Sequence, residues 1–441
     1  MSRFRAIVTI VAVTALAASA CTSAPEHTAA PGPSTAPAAA QENLALTVTP
    51  ADRQAGVPIS AEVGIKLGAG SVESVQVTDA AGRPVAGTLR EDGSGWVPSR
   101  PLAYQSTYRA TVTAVGSRRH RESQTVAFTT MAQPALLQGV GFYLFNGQEY
   151  GVGMPIPVEF LRDVPKNMQA AVQRRFFVTA DPPQPGAWHW FSDSQVQYRP
   201  ATYWKPGTKL TVRLGLKGQA LGGGYYGDED KNVSVRIDGD RVEVKITNWP
   251  KQLQLYKNGK LLRTMPVSLG KSSTPSSSGH MVVMEQAYTK RFDTRGEPNG
   301  GYVVDVNYAQ RLTWGGEFIH SAPWSVGDQG YRNVSHGCVN VGPGNAEWLF
   351  TEMKVGTPVT VTGTGIKLAP GNGWTVWDMS WPEFIKGSAV PVAKAVAEAT
   401  AYDPYPKPAP PSPAPSAGTP SAVPGQGGPA DAAATPAPAA S

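Results

Sequence analysis

The run Ser335-His336-Gly337-Cys338-Val339-Asn340, with His320 lying 18 residues upstream of the cysteine, holds the residue types that nucleophilic catalysis needs. A thiol of pKa ~8.5 is mostly protonated near neutrality, and an adjacent imidazole can take that proton or stabilise the thiolate. Cys338 is read as the nucleophile and His320 as its base. The same imidazole can return a proton to a departing amine and accept one from an incoming amine. Ser321 is expected to orient His320 through its backbone carbonyl on the other ring nitrogen, the role of a triad's third member. His336 is assigned to shaping the turn and the oxyanion site, with Ser335 beside it. Gly337 permits close backbone approach, and the N–H groups around Gly337 and Cys338 are candidates for an oxyanion hole. Asn340 is expected to hold the loop or a substrate by hydrogen bonds.

Cys338 is one of only two cysteines in the chain, and the other, Cys21, closes an apolar leader. A lone thiol in an exported chain is open to oxidation, so it is best explained as a working atom. His27, His120, His189 and His280 have no partner pattern and read as structural or surface residues. There is no zinc-type Cys/His cluster, no phosphate-cradling glycine loop and no dinucleotide fingerprint, and the thiol chemistry calls for no cofactor. The formal charge of +6 favours an anionic surface such as a cell wall or lipid headgroups. It is too weak to argue for nucleic acid.

The elements that must position these residues read as strands. Arg3, Arg5 and the apolar stretch Ala6 to Ala18, too short to span a bilayer, form an export signal over 1–21. Ala18-Ser19-Ala20-Cys21 resembles a bacterial lipoprotein signal, which implies acylation of Cys21 and a membrane anchor on the outer face of the cell membrane. Residues 22–43 are a Pro/Ala-rich linker without the apolar bulk to fold. Short alternating segments separated by Gly/Pro turns make 44–131 and 132–240 two Ig-like β-sandwiches, with Trp188, Trp190 and Trp204 in the core of the second. Residues 241–364 form a β-rich unit with an Asn258-Gly259 hairpin turn. The polar segment from about Glu285 to Gly301 is expected to be a long flap loop over the site, and Asn345 to Met353 a helix. Residues 365–402 are a Trp-rich cap, expected on the catalytic unit. From Asp403 the Pro/Ala-rich chain is expected to be disordered. The fold class is therefore mainly β, two sandwiches ahead of the Cys/His unit.

His320, fourteen residues, then Ser335-His336-Gly337-Cys338-Val339-Asn340 resembles the signature of the L,D-transpeptidases, bacterial cell-wall enzymes of the YkuD type. The run His320-Ser321-Ala322-Pro323-Trp324-Ser325 adds to it. The likeness covers about Asp240 to Thr364, and the flanking units resemble those of actinobacterial members. The resemblance implies attack by Cys338 on a tetrapeptide stem of peptidoglycan, with loss of D-alanine, a thioester, and 3→3 cross-linking by the diaminopimelate amine of a neighbouring stem. It implies acylation of Cys338 by carbapenem β-lactams, and a role near the site for Tyr302. The alternative is a wall-binding or adhesion lipoprotein carrying a vestigial catalytic domain.

Overall fold

The computed structural model describes residues 44–296 and 301–406. The leader with Cys21, the 22–43 linker and the tail from 407 lie outside the described residues.

The first unit is two four-stranded sheets face to face. One orders Thr47–Thr49, Val63–Lys66, Gly95–Pro98 and Gly87–Leu89; the other Gln54–Val57, Arg121–Thr130, Thr107–Val115 and Ser71–Asp79. Alternation along Thr107–Val115 sends Tyr108, Ala110, Val112 and Ala114 inward, where all but Ala114 join Trp96, Val126 and Phe128 in one core. The second unit repeats the plan. It pairs a sheet of Val140–Phe142, Ile156–Phe160, Gln195–Pro200 and Gly186–Trp190 with one of Glu149–Tyr150, Lys231–Ile237, Lys209–Leu214 and Phe176–Asp181. Trp188, Trp190 and Trp204 are buried in its core. Glu62 ties the two sandwiches, accepting from Arg90 of its own unit and, at 2.6 Å, from Arg175 of the next.

The third unit carries the site. Its strands are β1 (Val242–Asn248), β2 (Lys251–Lys257), β3 (Lys260–Ser268), β4 (Ser277–Val282), β5 (Glu285–Asp293), β6 (Val303–Arg311), β7 (Phe318–Ser321), β8 (Val339–Val341), β9 (Pro358–Thr362) and β10 (Ile366–Lys367). They form one sheet in the order β5-β6-β7-β8-β3-β2-β1-β9-β4-β10. Asn258 and Gly259 both have positive φ, 52° and 79°, which closes the two-residue turn between β2 and β3. The helix Pro343–Glu352 starts on a proline, which supplies a ready-made helical φ, and buries Ala346 and Leu349 against the sheet.

Three expectations change. The polar segment after Glu285 is a hairpin arm rather than a loop, because β5 pairs with β6 from Glu285↔Arg311 out to Asp293↔Val303. Exposed polar residues alternating with Ala287 and Phe292 are what a two-sided arm looks like in sequence. The Trp-rich segment does not cap the catalytic unit alone. Trp374, Trp377, Trp381 and Phe384 belong to the core of the second sandwich, which Val282 and Met284 of the catalytic unit also enter. The segment is thus shared between two units. The chain also stays packed past Asp403, since Tyr405 donates to Asp378 at 2.6 Å.

Candidate active site

β7 and β8 run side by side in parallel, with Ile319 opposite Val339, His320 opposite Asn340 and Ser321 opposite Val341. Register partners point to the same face of a sheet, and so do residues two apart along a strand. Cys338, two residues before Asn340, therefore opens onto the face that carries His320. Both residues line one cavity of about 250 Å³, with Asn340, Ser335, His336, Tyr302 and the apolar walls Phe292, Val304, Val306 and Trp324. The site is largely screened from water, with His320 3% and Cys338 7% exposed.

His320 Nδ1 lies 2.8 Å from the carbonyl oxygen of Ser321. A carbonyl only accepts, so Nδ1 carries the hydrogen and the lone pair sits on Nε2. Burial holds the imidazole below its ordinary pKa of 6.5, with the Ser321 carbonyl pulling the other way. Phe292 meets the ring edge-on at 5.5 Å and Trp324 lies tilted at 6.0 Å. The imidazole is therefore fixed in tautomer, neutral and walled by aromatics.

The turn that presents Cys338 is closed on itself. Ser335 Oγ donates to the Cys338 carbonyl at 2.6 Å and accepts the Gly337 N–H at 3.1 Å. Gly337 takes φ of +126°, a conformation that other residues rarely adopt. Its carbonyl accepts from Ser276 Oγ at 2.6 Å, and Ser276 Oγ in turn accepts the Gly270 N–H at 2.9 Å. Cys338 Sγ lies 3.6 Å from the Gly316 carbonyl. The expected use of the Gly337 N–H in an oxyanion hole does not fit, because that donor is engaged by Ser335 within the turn. What Gly337 supplies is the turn's positive φ.

Asn340 donates from Nδ2 to Ser325 Oγ at 3.1 Å, and Ser325 Oγ donates to the Ala322 carbonyl at 3.2 Å. It thus fastens β8 to the turn that follows His320. His336 is exposed, with its ring 5.1 Å from that of Tyr302 and its Nε2 2.9 Å from Lys271 Nζ. Among the described residues, the other histidines stand apart from the cavity. His280 contacts Thr360 Oγ1 and the Tyr402 hydroxyl, and His189 Nδ1 contacts the Phe384 carbonyl.

Sequence reasoning missed Ser276, Ser325, Lys271 and Glu317. Glu317 is a half-buried carboxylate beneath the nucleophile turn, where a Cβ on Gly337 would lie 3.7 Å from its Cγ. It accepts the Ser277 hydroxyl at 2.7 Å and the Ser277 N–H at 3.2 Å. Burial holds its carboxyl above the ordinary 4.5, with those hydrogen bonds opposing. Ser325 closes the His320–Ser325 run but carries no chemistry that sequence alone assigns, and Glu317 reads as an ordinary charge. Only the fold brings Ser276 and Lys271, some sixty positions away, onto the Cys338 turn.

Residues 239–361 match the L,D-transpeptidase catalytic domain (YkuD), and residues 54–220 match the bacterial Ig domain (Big_10) across both sandwiches. The chain is 33% identical to L,D-transpeptidase 2 of Mycobacterium tuberculosis over 358 residues, 78% of this chain and 85% of that protein. It is 34% identical to L,D-transpeptidase 5 of the same organism over 365 residues, 80% of this chain and 79% of that protein. Among solved structures, the LD transpeptidase LdtMt1 in complex with imipenem is 34% identical, with 51% of this chain and 99% of that chain covered and a TM-score of 0.43.

Proposed function

Because the chain belongs to the L,D-transpeptidase family, we propose that it forms 3→3 cross-links in peptidoglycan, joining the meso-diaminopimelate residues of neighbouring stem peptides through a thioester on Cys338. The observation that carries this reading is the pairing of β7 with β8, which sets a neutral imidazole and a thiol on one face of one cavity. His320 Nε2 takes the thiol proton as Sγ attacks the diaminopimelate carbonyl of a tetrapeptide donor. The Sγ–C bond forms, the C–N bond to D-alanine breaks, and the proton leaves on the D-alanine amine. The side-chain amine of a second stem then attacks the thioester. Its C–N bond forms and the C–S bond breaks, while His320 Nε2 takes a proton from that amine and passes it to the departing sulfur, which restores the thiol. The apolar walls and deep burial keep water from taking the acceptor's place.

In this reading Ser321 orients the base, Ser335 and Gly337 shape the turn, Asn340 holds β8, and His336 and Tyr302 face the substrate. A carbapenem offers a strained acyl carbonyl to the same sulfur and would remain bound as a covalent inhibitor. Acylation of Cys21 would anchor the enzyme to the outer face of the cell membrane, with the two sandwiches carrying the site into the wall.

Intact-mass spectrometry tests the reading, first with a carbapenem and then with a disaccharide-tetrapeptide. The expected result is a drug adduct mapping to Cys338 and a dimeric product lacking one D-alanine. Folded protein giving neither adduct nor turnover would overturn it in favour of a wall-binding scaffold.

A further inference from the structure

We infer that Lys271 is the cationic anchor for the terminal α-carboxylate of the donor stem, the carboxylate that departs with the leaving D-amino acid. The inference rests on the cross-linking reading above and names a specificity-determining residue for it.

Lys271 stands on backbone that is stitched to the nucleophile turn. Its N–H donates to the Ser335 carbonyl at 2.9 Å, Thr274 Oγ1 donates to that same carbonyl at 3.3 Å, and Gly270 forms a parallel bridge with Ser335. The side chain then places Nζ 2.9 Å from His336 Nε2, at the exposed rim of the cavity. An ammonium has three donors and no acceptor, so one donor reaches the imidazole and others remain. Among the described residues no carboxylate lies within ion-pair distance of Lys271, whereas Arg295 pairs with Asp293 and Arg332 with Asp328. Among the described residues, the cavity lining holds no Asp, Glu, Lys or Arg. A cation fixed beside such a lining, one hydrogen bond from a lining histidine, is complementary to one anionic group on the ligand.

The donor supplies that group where the geometry needs it. In a tetrapeptide the terminal carboxylate belongs to the residue whose amine is expelled. It lies three bonds from the carbonyl carbon that Cys338 attacks, roughly 4–5 Å away in an extended backbone. His336 and Cys338 line the same cavity, so an anion held at the Lys271–His336 rim lies at the edge of the cavity that holds the reacting sulfur. A charge-assisted hydrogen bond there rewards a donor that ends at this residue and penalises one whose carboxylate is masked or displaced.

The test compares a tetrapeptide donor with its C-terminal amide, reading D-alanine or D-alaninamide release as kcat/KM. Wild-type enzyme should prefer the free acid by on the order of 10-fold or more. In Lys271→Met that preference should fall to about one, through KM for the acid, while Lys271→Arg retains it. Thermal melts check folding, and Lys271→Gln serves as the neutral variant should the Met form fail to fold. A Lys271→Met enzyme that loses activity equally on both donors, or keeps the preference, overturns the inference and leaves the cross-linking reading intact. Folded wild-type protein that releases nothing from the acid donor overturns both.

Discussion

At the scale of single residues, the proposed roles of Cys338 as nucleophile and His320 as base make separable demands on their surroundings. Cys338→Ala removes one buried atom from a turn that Ser335 and Ser276 hold through the backbone carbonyls of Cys338 and Gly337. Covalent capture of a carbapenem should therefore vanish while the melting temperature shifts by no more than a few degrees, as differential scanning calorimetry and intact mass would show. His320→Ala should slow acylation by several orders of magnitude near neutral pH. Since burial keeps the His320 pKa below 6.5, the imidazole stays able to accept a proton at pH values where an exposed histidine is half charged. The acid limb of the wild-type acylation rate should accordingly lie below pH 6.5 in stopped-flow measurements. The sign carries over to stability: the unfolded chain takes this proton first, so the group subtracts stability as pH falls through 6.5. Glu317 behaves in the reverse sense. Its raised carboxyl pKa means that its contribution is present below about pH 4.5 and is lost as pH rises through the folded value. Glu317→Gln, which keeps an oxygen for Ser277, should melt higher than wild type at pH 8 and together with it near pH 4. The pair His320 and Cys338 was legible in sequence because spacing and residue chemistry coincide there. Glu317 and Lys271 were not, because a buried carboxylate and an unpaired rim cation look in sequence like any solvated charge.

At the scale of elements, the site depends on a strut between two strands that are not neighbours in the sheet. Ser276, directly before β4, is 1% exposed and bonds both Gly270 and Gly337. Ser276→Ala leaves a buried N–H and a buried carbonyl without their partner, which costs about 1–3 kcal/mol. Gly337 is the point at which φ is least natural, so a loosened carbonyl there should move Cys338. The expected outcome is a drop in kcat larger than any rise in KM, measured beside a urea titration. Unchanged kcat in a destabilised variant would show that the turn is held by Ser335 alone. Strands announced themselves where one face is buried, as in Lys209–Leu214, whose limits match the alternation residue for residue. The arm β5–β6 did not, because both of its faces carry polar residues and Gly296 and Gly301 flank its tip. The helix Lys166–Gln173, with three glutamine or asparagine residues among its eight, went unread for the same reason: its buried side includes Gln169 and Gln173.

At the scale of the whole molecule, the three tryptophans near the C-terminus raise the question of what joins the catalytic unit to the second sandwich. Sequence pattern marks them as buried but cannot say against which unit, since an aromatic side chain suits either core. Backbone contact supplies part of the joint: Gly151 and Gly153 donate to the Val355 and Gly356 carbonyls at 2.8 and 2.9 Å. A Cβ on Gly151 would sit 2.4 Å from Thr357 N, so only glycine permits that approach. Lys354 adds ion pairs to Glu149 and Asp238 at 2.6 and 2.9 Å, and Arg199 adds a buried cation. It is fully buried in the second sandwich, its guanidinium 4.6, 5.0 and 4.5 Å from the ring centres of Trp377, Trp381 and Phe384. It donates to the carbonyls of Pro200, Ala201 and, across the joint, Met379 at 3.0 Å. Burial pulls its pKa down to about 9, which leaves it charged at neutral pH. Two effects oppose each other in Arg199→Met. Removing a desolvated cation relieves a penalty, and apolar replacements of buried charges are sometimes neutral for that reason. Against this stand three charge-assisted hydrogen bonds and three cation–π contacts, lost together with the partner of the Met379 carbonyl. The second group should prevail by about 2–4 kcal/mol. The loss should fall on the joint, so limited proteolysis should open the chain between residues 369 and 406 before either core unfolds, while carbapenem capture by Cys338 persists in the intact fraction. A variant as stable as wild type and as resistant to protease would mean that desolvation cancels the cage, and that the glycine contacts, the Lys354 ion pairs and the packing of Val282 and Met284 hold the catalytic unit to its sandwich.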